Sequence, residues 1–147
     1  MKFLVDFMLG KLARELRMLG FDAKYIKPDN PLVLLQIAKT ENRIILSRNT
    51  KLKDYPEVFF IESEIPQEQV KSIINRFNLE KEIRPFSRCL ECGELLQSID
   101  KSEVKGRVPF FVFQNHDDFS ICSKCQKIYW KGSHLKNMQQ KIKKILR

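Results

Sequence analysis

Short runs of apolar residues alternate with longer amphipathic segments along the first half of the chain. Four of the runs, each four or five residues long, lie at 2–5, 23–26, 43–47 and 58–61. Runs this short predict strands buried on both faces rather than core helices. Apolar residues at the spacing of an amphipathic helix occupy the segments 8–19, 31–38 and 66–77. Strands that alternate with helices in this way predict right-handed βαβ units, and therefore an α/β fold with a parallel sheet.

Polar residues stand where two of these predicted strands end. Asp6 follows the first strand, and Ser47, Arg48 and Asn49 close the third. Open parallel sheets bind ligands outside the carboxyl ends of their strands, and the loop acid Asp29 is expected at the same edge. Enzymes that hydrolyse phosphodiesters cluster carboxylates because Mg²⁺ and Mn²⁺ prefer hard oxygen ligands. The pattern predicts a divalent-metal site formed by Asp6 and Asp29, to which Asn49 lends an uncharged carbonyl oxygen.

Each of these three residues also has a simpler interpretation. Asp6 is suited to cap the helix that follows it, because an aspartate accepts hydrogen bonds from the free N–H groups of a helix start. Asp29 is typical of an acid at a helix entry, where the helix dipole favours negative charge. Asn49 is suited to cap the short segment after Ser47. The sequence leaves both interpretations open at all three positions.

Basic residues near this edge are candidates for binding phosphate groups. Lys11 and Arg14 lie on the predicted first helix together with Arg17, away from its apolar stripe, and Arg48 follows the third predicted strand. Lysine and arginine side chains supply most of the contacts that proteins make to nucleic-acid phosphates. The alternative is an ordinary solvated helix face.

Four cysteines in the second half of the chain form two C-x-x-C pairs. The pairs are Cys89 with Cys92 and Cys122 with Cys125. Two thiolates at this spacing can bind one ion, and two such pairs complete the tetrahedral set of a structural zinc site, with no open position for a substrate. A redox pair or free core cysteines would leave the matched second pair unexplained. The spacing therefore predicts a structural zinc site.

The positive charge of the chain is concentrated towards its C-terminus. The 147 residues carry a net charge of +9; 15 basic and 12 acidic residues precede Pro85, and 12 basic and 6 acidic residues follow from it. Residues 134–147 contain no acid and have the pattern of a basic amphipathic helix. This balance favours an acidic partner such as nucleic acid. No apolar run approaches the roughly 20 residues of a membrane span, so we expect no membrane insertion.

The composition changes after Asn78, where a charged segment interrupted by Pro85 leads to the first cysteine pair. We predict a domain boundary near Arg84, with an α/β domain in 1–84 and the cysteine pairs and basic helix in 85–147. The N-terminal sequence has no signal-peptide pattern. We therefore expect a cytoplasmic protein, and in that compartment C-x-x-C pairs bind metals more often than they form disulfides.

Six stretches of the sequence together carry a family resemblance. They are FLVDFMLGKLARELRMLGFD, RIILSRN, SRCLEC, RVPFFVF, CSKC and YWKGSH. In these stretches the chain resembles the Mut-seven C-terminal RNase domain family, and the likeness covers nearly the whole sequence. It implies a PIN-like nuclease domain with a parallel sheet, metal-dependent RNA cleavage that uses Asp6, and a fused zinc ribbon. The implied zinc ligands are Cys89, Cys92, Cys122 and Cys125.

The chain departs from the family pattern after the third predicted strand. Where the family usually has Thr-Arg-Asp, this sequence has Ser47, Arg48 and Asn49, so an amide replaces an expected carboxylate. Only Asp29 stands where the family tends to have several acids. A site with fewer carboxylates binds Mg²⁺ less strongly, which predicts slow or absent cleavage unless another acid such as Asp54 contributes.

These observations lead to hypotheses from different functional classes. The first is a ribonuclease that uses Mg²⁺ or Mn²⁺, held by Asp6 and Asp29 with help from Asn49, while the ribbon and basic helix hold RNA. The second is an RNA- or ribosome-binding protein that keeps the fold and has lost most catalysis, which Asn49 favours. A third, an adaptor at a membrane surface or on another protein, rests only on the basic C-terminal segment.

Overall fold

Four strands form a parallel sheet in the computed structural model, which describes residues 1–132 and 134–146. The strands are β1 (Lys2–Asp6), β2 (Asp22–Ile26), β3 (Ile44–Ser47) and β4 (Val58–Phe60). Their order across the sheet is β2-β1-β3-β4, so that β1 lies between β2 and β3. The predicted α/β fold with a parallel sheet is confirmed.

Helices cover both faces of this sheet. They are α1 (Gly10–Met18), α2 (Leu32–Glu41) and α3 (Pro66–Phe77). Phe3 and Val5 of β1 point to the face that is covered by α1 and α3, whereas Leu4 points to the face covered by α2. Alternate side chains of a strand point to opposite faces, and burial on both sides is usual for parallel strands. The hydrophobic run of β1 therefore lies between two separate apolar clusters.

The first helix starts later than its apolar spacing predicts. A 3₁₀ turn at Phe7–Leu9 precedes α1. The turn is held at its start, because Asp6 accepts a hydrogen bond from the Phe7 N–H and the Tyr25 hydroxyl donates to the Phe7 carbonyl. At the other end of α1, Gly20 has φ +96°, and a Cβ there would lie 2.4 Å from the Arg84 carbonyl oxygen. The chain therefore needs glycine at that position.

The region that carries the cysteines forms a small antiparallel sheet. Its strands are β5 (Gln97–Ile99), β6 (Phe119–Ile121) and β7 (Ile128–Trp130), in that order. A short helix, α4 (Phe110–Asn115), occupies the apolar stretch between the two cysteine pairs. The fully buried apolar side chains of its core are Val104, Val112 and Phe119.

The C-terminal helix α5 (His134–Leu146) packs against the first part of the chain. Met138 and Ile145 are 2% exposed and belong to the apolar cluster under α1 and α3, and Lys141 forms an ion pair with Glu15 at 2.8 Å. The predicted basic helix extended to Arg147, which lies outside the described residues. The division into 1–84 and 85–147 stays a prediction, while the contacts of α5 associate it with the parallel sheet. No helix in the described ranges has the length and hydrophobicity of a membrane span.

Candidate active site and metal centre

Asp6 lies at the carboxyl end of β1 and is 4% exposed. Its Oδ1 accepts a hydrogen bond from the Phe7 N–H at 2.8 Å, and its Oδ2 accepts one from the Ser47 hydroxyl at 2.8 Å. A carboxylate has about four acceptor positions, so these two bonds leave capacity for a cation. No lysine or arginine among the described residues forms an ion pair with Asp6. The carboxylate is therefore buried and oriented without a protein counter-charge.

Asn49 is connected to Asp6 by two hydrogen bonds that share the Ser47 hydroxyl. The Asn49 N–H donates to the Ser47 Oγ at 3.0 Å, and this hydroxyl in turn donates to Asp6. The Asn49 side chain points back along its own segment, where Oδ1 accepts from the Lys51 N–H at 3.0 Å and caps a 3₁₀ turn at Thr50–Leu52. The structure thus brings Asp6 and Asn49 together, with the amide oxygen acting as a cap. The sequence offered Ser47 only as a polar strand end, although its place next to Asp6 follows from the pairing of β1 with β3.

Asp29 lies in the loop between β2 and α2 and is exposed. The side chain that contacts the start of the following helix is Asn30, not Asp29, since the Asn30 Oδ1 accepts from the Leu32 N–H at 2.9 Å. Within residues 1–132 and 134–146, Asp29 has no hydrogen bond or ion pair, and no three acidic or histidine side chains converge as ligands. The structure therefore does not join Asp29 to Asp6 by a direct contact. Its role in a metal site stays a prediction.

The three predicted phosphate-binding residues differ in their surroundings. Lys11 is exposed and has no ion pair in the described part of the chain, and Arg14 forms an exposed contact with Glu91 at 3.5 Å. The Arg48 guanidinium donates to the carbonyls of Ile61 at 3.0 Å and Glu62 at 2.6 Å. Arg48 therefore connects the end of β3 to the segment after β4 by hydrogen bonds. Lys11 and Arg14 remain accessible to a ligand.

Arg17 has a structural role that the sequence did not predict. It was expected on the polar side of α1, but it is 7% exposed. Its Nε donates to the Ala23 carbonyl at 2.8 Å, and one terminal nitrogen donates to the carbonyls of Leu90 at 3.0 Å and Glu91 at 3.1 Å. Burial lowers the pKa of Arg17 from its ordinary value. An arginine at this position in a helix gives no sequence signal of burial, because its partners are backbone carbonyls distant in the chain.

A second arginine reinforces the same junction. Arg88 donates from Nε to the Gly20 carbonyl at 3.0 Å and from a terminal nitrogen to the Gly93 carbonyl at 2.8 Å. Gly93 follows the first cysteine pair with φ +77°, and a Cβ there would lie 3.0 Å from the Arg17 Nε. The first cysteine turn is therefore fixed against the Met18 end of α1, whereas Asp6 lies near the opposite end of that helix.

The four cysteine sulfurs lie close together. All of the Sγ atoms are within 4.8 Å of one another, and the Sγ atoms of Cys89 and Cys125 are 3.7 Å apart. Four sulfurs at about 2.3 Å from a tetrahedral Zn²⁺ ion would be separated by about 3.8 Å. Both donor type and spacing therefore fit zinc, so Cys89, Cys92, Cys122 and Cys125 can hold such an ion. They are the only group of three or more potential ligands found in the described part of the chain.

Tyr129 supports this cluster from β7. Its hydroxyl oxygen accepts from the Leu90 N–H at 3.1 Å, which leaves its proton for the Cys89 Sγ at 3.1 Å. Burial raises the pKa of Cys89, but hydrogen bonds from Tyr129 and from the Cys92 N–H outweigh it and lower that pKa to about 7. Burial and the neighbouring thiols raise the pKa of Cys92 to about 12. Coordination to a cation would deprotonate both thiols.

A groove of about 650 Å³ separates α1 from the antiparallel sheet. Its lining includes the aromatic and basic side chains of Phe86, Tyr129, Trp130, Arg14, Lys127 and Lys131, and also the acids Asp100, Asp117 and Asp118. Aromatic rings beside basic side chains are common where proteins bind single-stranded nucleic acid. Arg14 of α1 and Tyr129, whose hydroxyl contacts Cys89, both line this groove.

Comparison with known proteins bears on both regions. The family model of the Mut7-C RNAse domain matches residues 1–142. Neither a search of curated proteins nor a search of solved structures found a significant match. The family match extends from β1 into α5 and includes all four cysteines, which confirms the resemblance inferred from the motifs and supports a nuclease function related to RNA. The chain belongs to the Mut7-C RNAse domain family.

Proposed function

We propose that the protein is a metal-dependent ribonuclease with its active site at the carboxyl edge of the parallel sheet. Asp6 and Asp29 would hold Mg²⁺ or Mn²⁺, and Asn49 would contribute an oxygen. The observation that carries the proposal is the Asp6 carboxylate, which is buried, oriented by two donors and without a cationic partner in the described residues. A buried charge is costly unless it is paired or coordinates a metal, so this environment favours a bound cation.

The chain would position the reacting groups in three ways. The Ser47 hydroxyl holds one oxygen of Asp6, which fixes the carboxylate plane at the end of β1. A divalent ion at this carboxylate would polarise the phosphoryl group and lower the pKa of a bound water. Lys11 and Arg14, three residues apart on the exposed side of α1, would bind RNA phosphates between the acidic edge and the groove.

We also propose that Zn²⁺ is bound by the four cysteines and has a structural role. The ion would occupy a site with four protein ligands, so no position remains for substrate activation. The ribbon that it stabilises would hold RNA through the groove beside α1. The cytoplasm is the proposed compartment, because all four cysteines are unpaired thiols placed for metal binding.

A second candidate function is RNA or ribosome binding with little or no cleavage. Asn49 favours it, because an amide stands where the family resemblance leads us to expect a carboxylate, and its Oδ1 already accepts from the Lys51 N–H. A site with one buried and one exposed carboxylate would hold Mg²⁺ weakly. The two functions predict different effects of Asn49→Asp on Mn²⁺ affinity and on the rate of RNA cleavage.

Titration of Mn²⁺ into wild type, Asn49→Asp and Asp6→Asn tests the catalytic proposal. Asn49→Asp should bind Mn²⁺ more tightly and cleave RNA faster, because a carboxylate of the same shape adds a charge at the metal. Asp6→Asn should lose both binding and cleavage. Glu80→Gln removes an exposed carboxylate that does not line the groove, and it is a matched control that should behave as wild type. Equal Mn²⁺ affinity in all four proteins would contradict the metal site and favour the binding function.

A further inference from the structure

Two adjacent phenylalanines on α4 are exposed to solvent. Phe110 is 68% exposed and Phe111 is 66% exposed, the highest values among the large apolar side chains in the described residues. Exposure of apolar side chains to water is unfavourable relative to their burial, and a contiguous patch of this kind often marks a binding surface. Packing within the described residues therefore does not explain why the two phenyl rings are placed there.

The other side of α4 is already packed. Val112 is 3% exposed and contacts the small core of the ribbon, and the Phe113 ring has the Lys101 Nζ 5.0 Å from its centroid. Turning the helix to bury Phe110 and Phe111 would expose Val112. The orientation of α4 therefore fixes the two rings on the outside.

The turn before α4 adds positive charge. Lys105 and Arg107 are exposed and have no ion pair with any residue of the described ranges. Between them, Gly106 has φ +82°, and a Cβ added there would have no heavy atom within 4 Å, so the turn stands free in solvent. Residues 104–116 contain no acid. We call Lys105, Arg107, Phe110 and Phe111 the tip patch.

We propose that the tip patch binds single-stranded RNA, with unpaired bases stacked on the two phenyl rings and phosphates at Lys105 and Arg107. This inference rests on the proposed RNA-related function and specifies the state of the RNA. An exposed aromatic ring can stack on a base only where that base is not stacked within a duplex, and neighbouring cations compensate the backbone charge. Positive charge without an intervening acid complements a phosphate backbone.

Fluorescence anisotropy with a labelled single-stranded RNA, and with a hairpin duplex of the same length, tests the proposal on the full chain loaded with zinc. Phe110→Ala and Phe111→Ala should each weaken single-strand binding at least about fivefold, as for other base-stacking rings. The double change to leucine should weaken binding to a similar extent, because leucine keeps apolar area and loses the ring face. The double change to tryptophan should retain affinity.

The charged residues have a separate readout. Lys105→Gln with Arg107→Gln should reduce the slope of log affinity against log salt by about 0.7 for each phosphate of a single strand that the variant no longer neutralises. Leu95→Ala removes an exposed apolar side chain of the ribbon that is 59% exposed and should bind as wild type. Because every substituted side chain is exposed, zinc content should stay at one ion per chain.

Three results would overturn the proposal. They are unchanged affinity in the double leucine variant, equal affinity for the hairpin and the single strand, and binding to vesicles of phosphatidylcholine and phosphatidylserine that depends on the phenylalanines while RNA binding does not. Failure of the catalytic proposal has a different signature. Asp6→Asn should abolish cleavage and leave the anisotropy unchanged, so cleavage that survives Asp6→Asn contradicts the active site without bearing on the tip patch.

Discussion

The parallel sheet and the cysteine-bearing ribbon differ in how they are stabilised. Both faces of the parallel sheet carry extensive apolar clusters, and Phe3, Leu4 and Val5 of its central strand are 0% exposed. Among the described residues, the core of the ribbon has three buried apolar side chains beside four cysteines suited to one ion; the three are Val104, Val112 and Phe119, and Ile99, Val108, Ile128 and Trp130 pack partly buried around them. Apolar burial is the dominant favourable contribution to folding, so the first region can be stable by itself whereas the second needs additional links.

The links between the two regions are mostly polar. Arg17 donates to the carbonyls of Leu90 and Glu91, Arg88 donates to the Gly20 carbonyl, and the Phe86 N–H donates to the Met18 carbonyl at 3.2 Å. Fixed guanidinium groups bind carbonyls with defined direction. The ribbon is therefore oriented on the Met18 end of α1 by directed hydrogen bonds, and Phe86 adds an apolar contact with the cluster of the parallel sheet.

The largest expected effect is loss of zinc from the ribbon alone. Cys122→Ser removes a buried ligand, and the binding free energy, on the order of 10 kcal/mol for a structural zinc, is also folding free energy of that region. Hydrogen exchange should lose protection in β5, β6 and β7 and keep it in β1 and β3. Zinc content should fall below one ion per chain.

The neighbouring Ser123→Ala is the matched control for this change. Its side chain is exposed and lies between the two cysteines of the second pair. It should keep one zinc ion and wild-type exchange. Protection of β5 to β7 that is unchanged in Cys122→Ser would contradict the dependence of the ribbon on its metal.

A smaller effect is expected at the junction. Arg17→Met keeps much of the buried aliphatic volume and leaves the carbonyls of Ala23, Leu90 and Glu91 without their donor. The expected cost is about 2–4 kcal/mol, because buried polar groups lose a charged partner. Urea unfolding followed by separate probes of the two regions should then show two transitions at different urea concentrations.

Arg14→Met tests whether the effect is specific to the buried arginine. Arg14 lies on the same helix, but its contact with Glu91 is 3.5 Å long and exposed. Its replacement should change the free energy of unfolding by less than about 0.5 kcal/mol. Similar losses in both variants would show that charge on α1, and not the hydrogen bonds of Arg17, joins the regions.

The smallest effect concerns acid stability of the parallel-sheet region. Hydrogen bonds from Lys24 and Arg43 lower the pKa of Glu41 from 4.5 to about 2. A lowered folded-state pKa contributes stability that is fully present above the unfolded pKa and is lost as pH falls from about 4.5 towards 2. Urea unfolding at pH 5 and pH 3 should therefore show a smaller loss in Glu41→Gln than in wild type.

Glu64→Gln provides the control for that pH dependence. The Glu64 side chain is 86% exposed and lies 3.5 Å from Arg48, so its removal should leave the wild-type pH dependence unchanged.

The ribbon should respond to acid differently from the parallel sheet. Its cysteine thiols must be deprotonated to bind zinc, so zinc should be released, and the ribbon destabilised, at a higher pH than the parallel sheet. On acidification the ribbon should lose protection before the parallel sheet does.

Local patterns predicted most of the parallel-sheet region. The four strands and the helix at Pro66–Phe77 follow from short apolar runs and from helical spacing, because burial of these residues determines the elements themselves. The four cysteines that can hold a zinc ion were identified from their spacing in the same way. In each case the signal lies within a few neighbouring residues.

Contacts between distant parts of the chain were not predictable from the pattern. In the sequence, Arg17 looks like any other polar residue of α1. Its partners at Leu90 and Glu91 are backbone carbonyls, which every residue type has, so their side chains give no sign of the contact. The sequence allowed two roles for Asn49, a cap that accepts from the Lys51 N–H and a metal ligand. It could not decide between them, because both roles use the same side-chain oxygen. Likewise, the exposure of Phe110 contradicts the usual expectation for an apolar run and depends on how α4 packs.

The return of α5 to the parallel sheet has a consequence for dividing the protein. The chain leaves that sheet after Arg84 and comes back with α5, so the body that surrounds β1 is discontinuous in sequence. Truncation after residue 84 would remove Met138 and Ile145 and uncover the apolar surface that they protect on α1 and α3. A shortened chain in which a flexible linker connects residue 84 to α5 would keep Met138 and Ile145 on the apolar surface of α1 and α3. The ribbon can therefore be treated as an insertion, which a protein engineer could exchange while keeping both ends of the body.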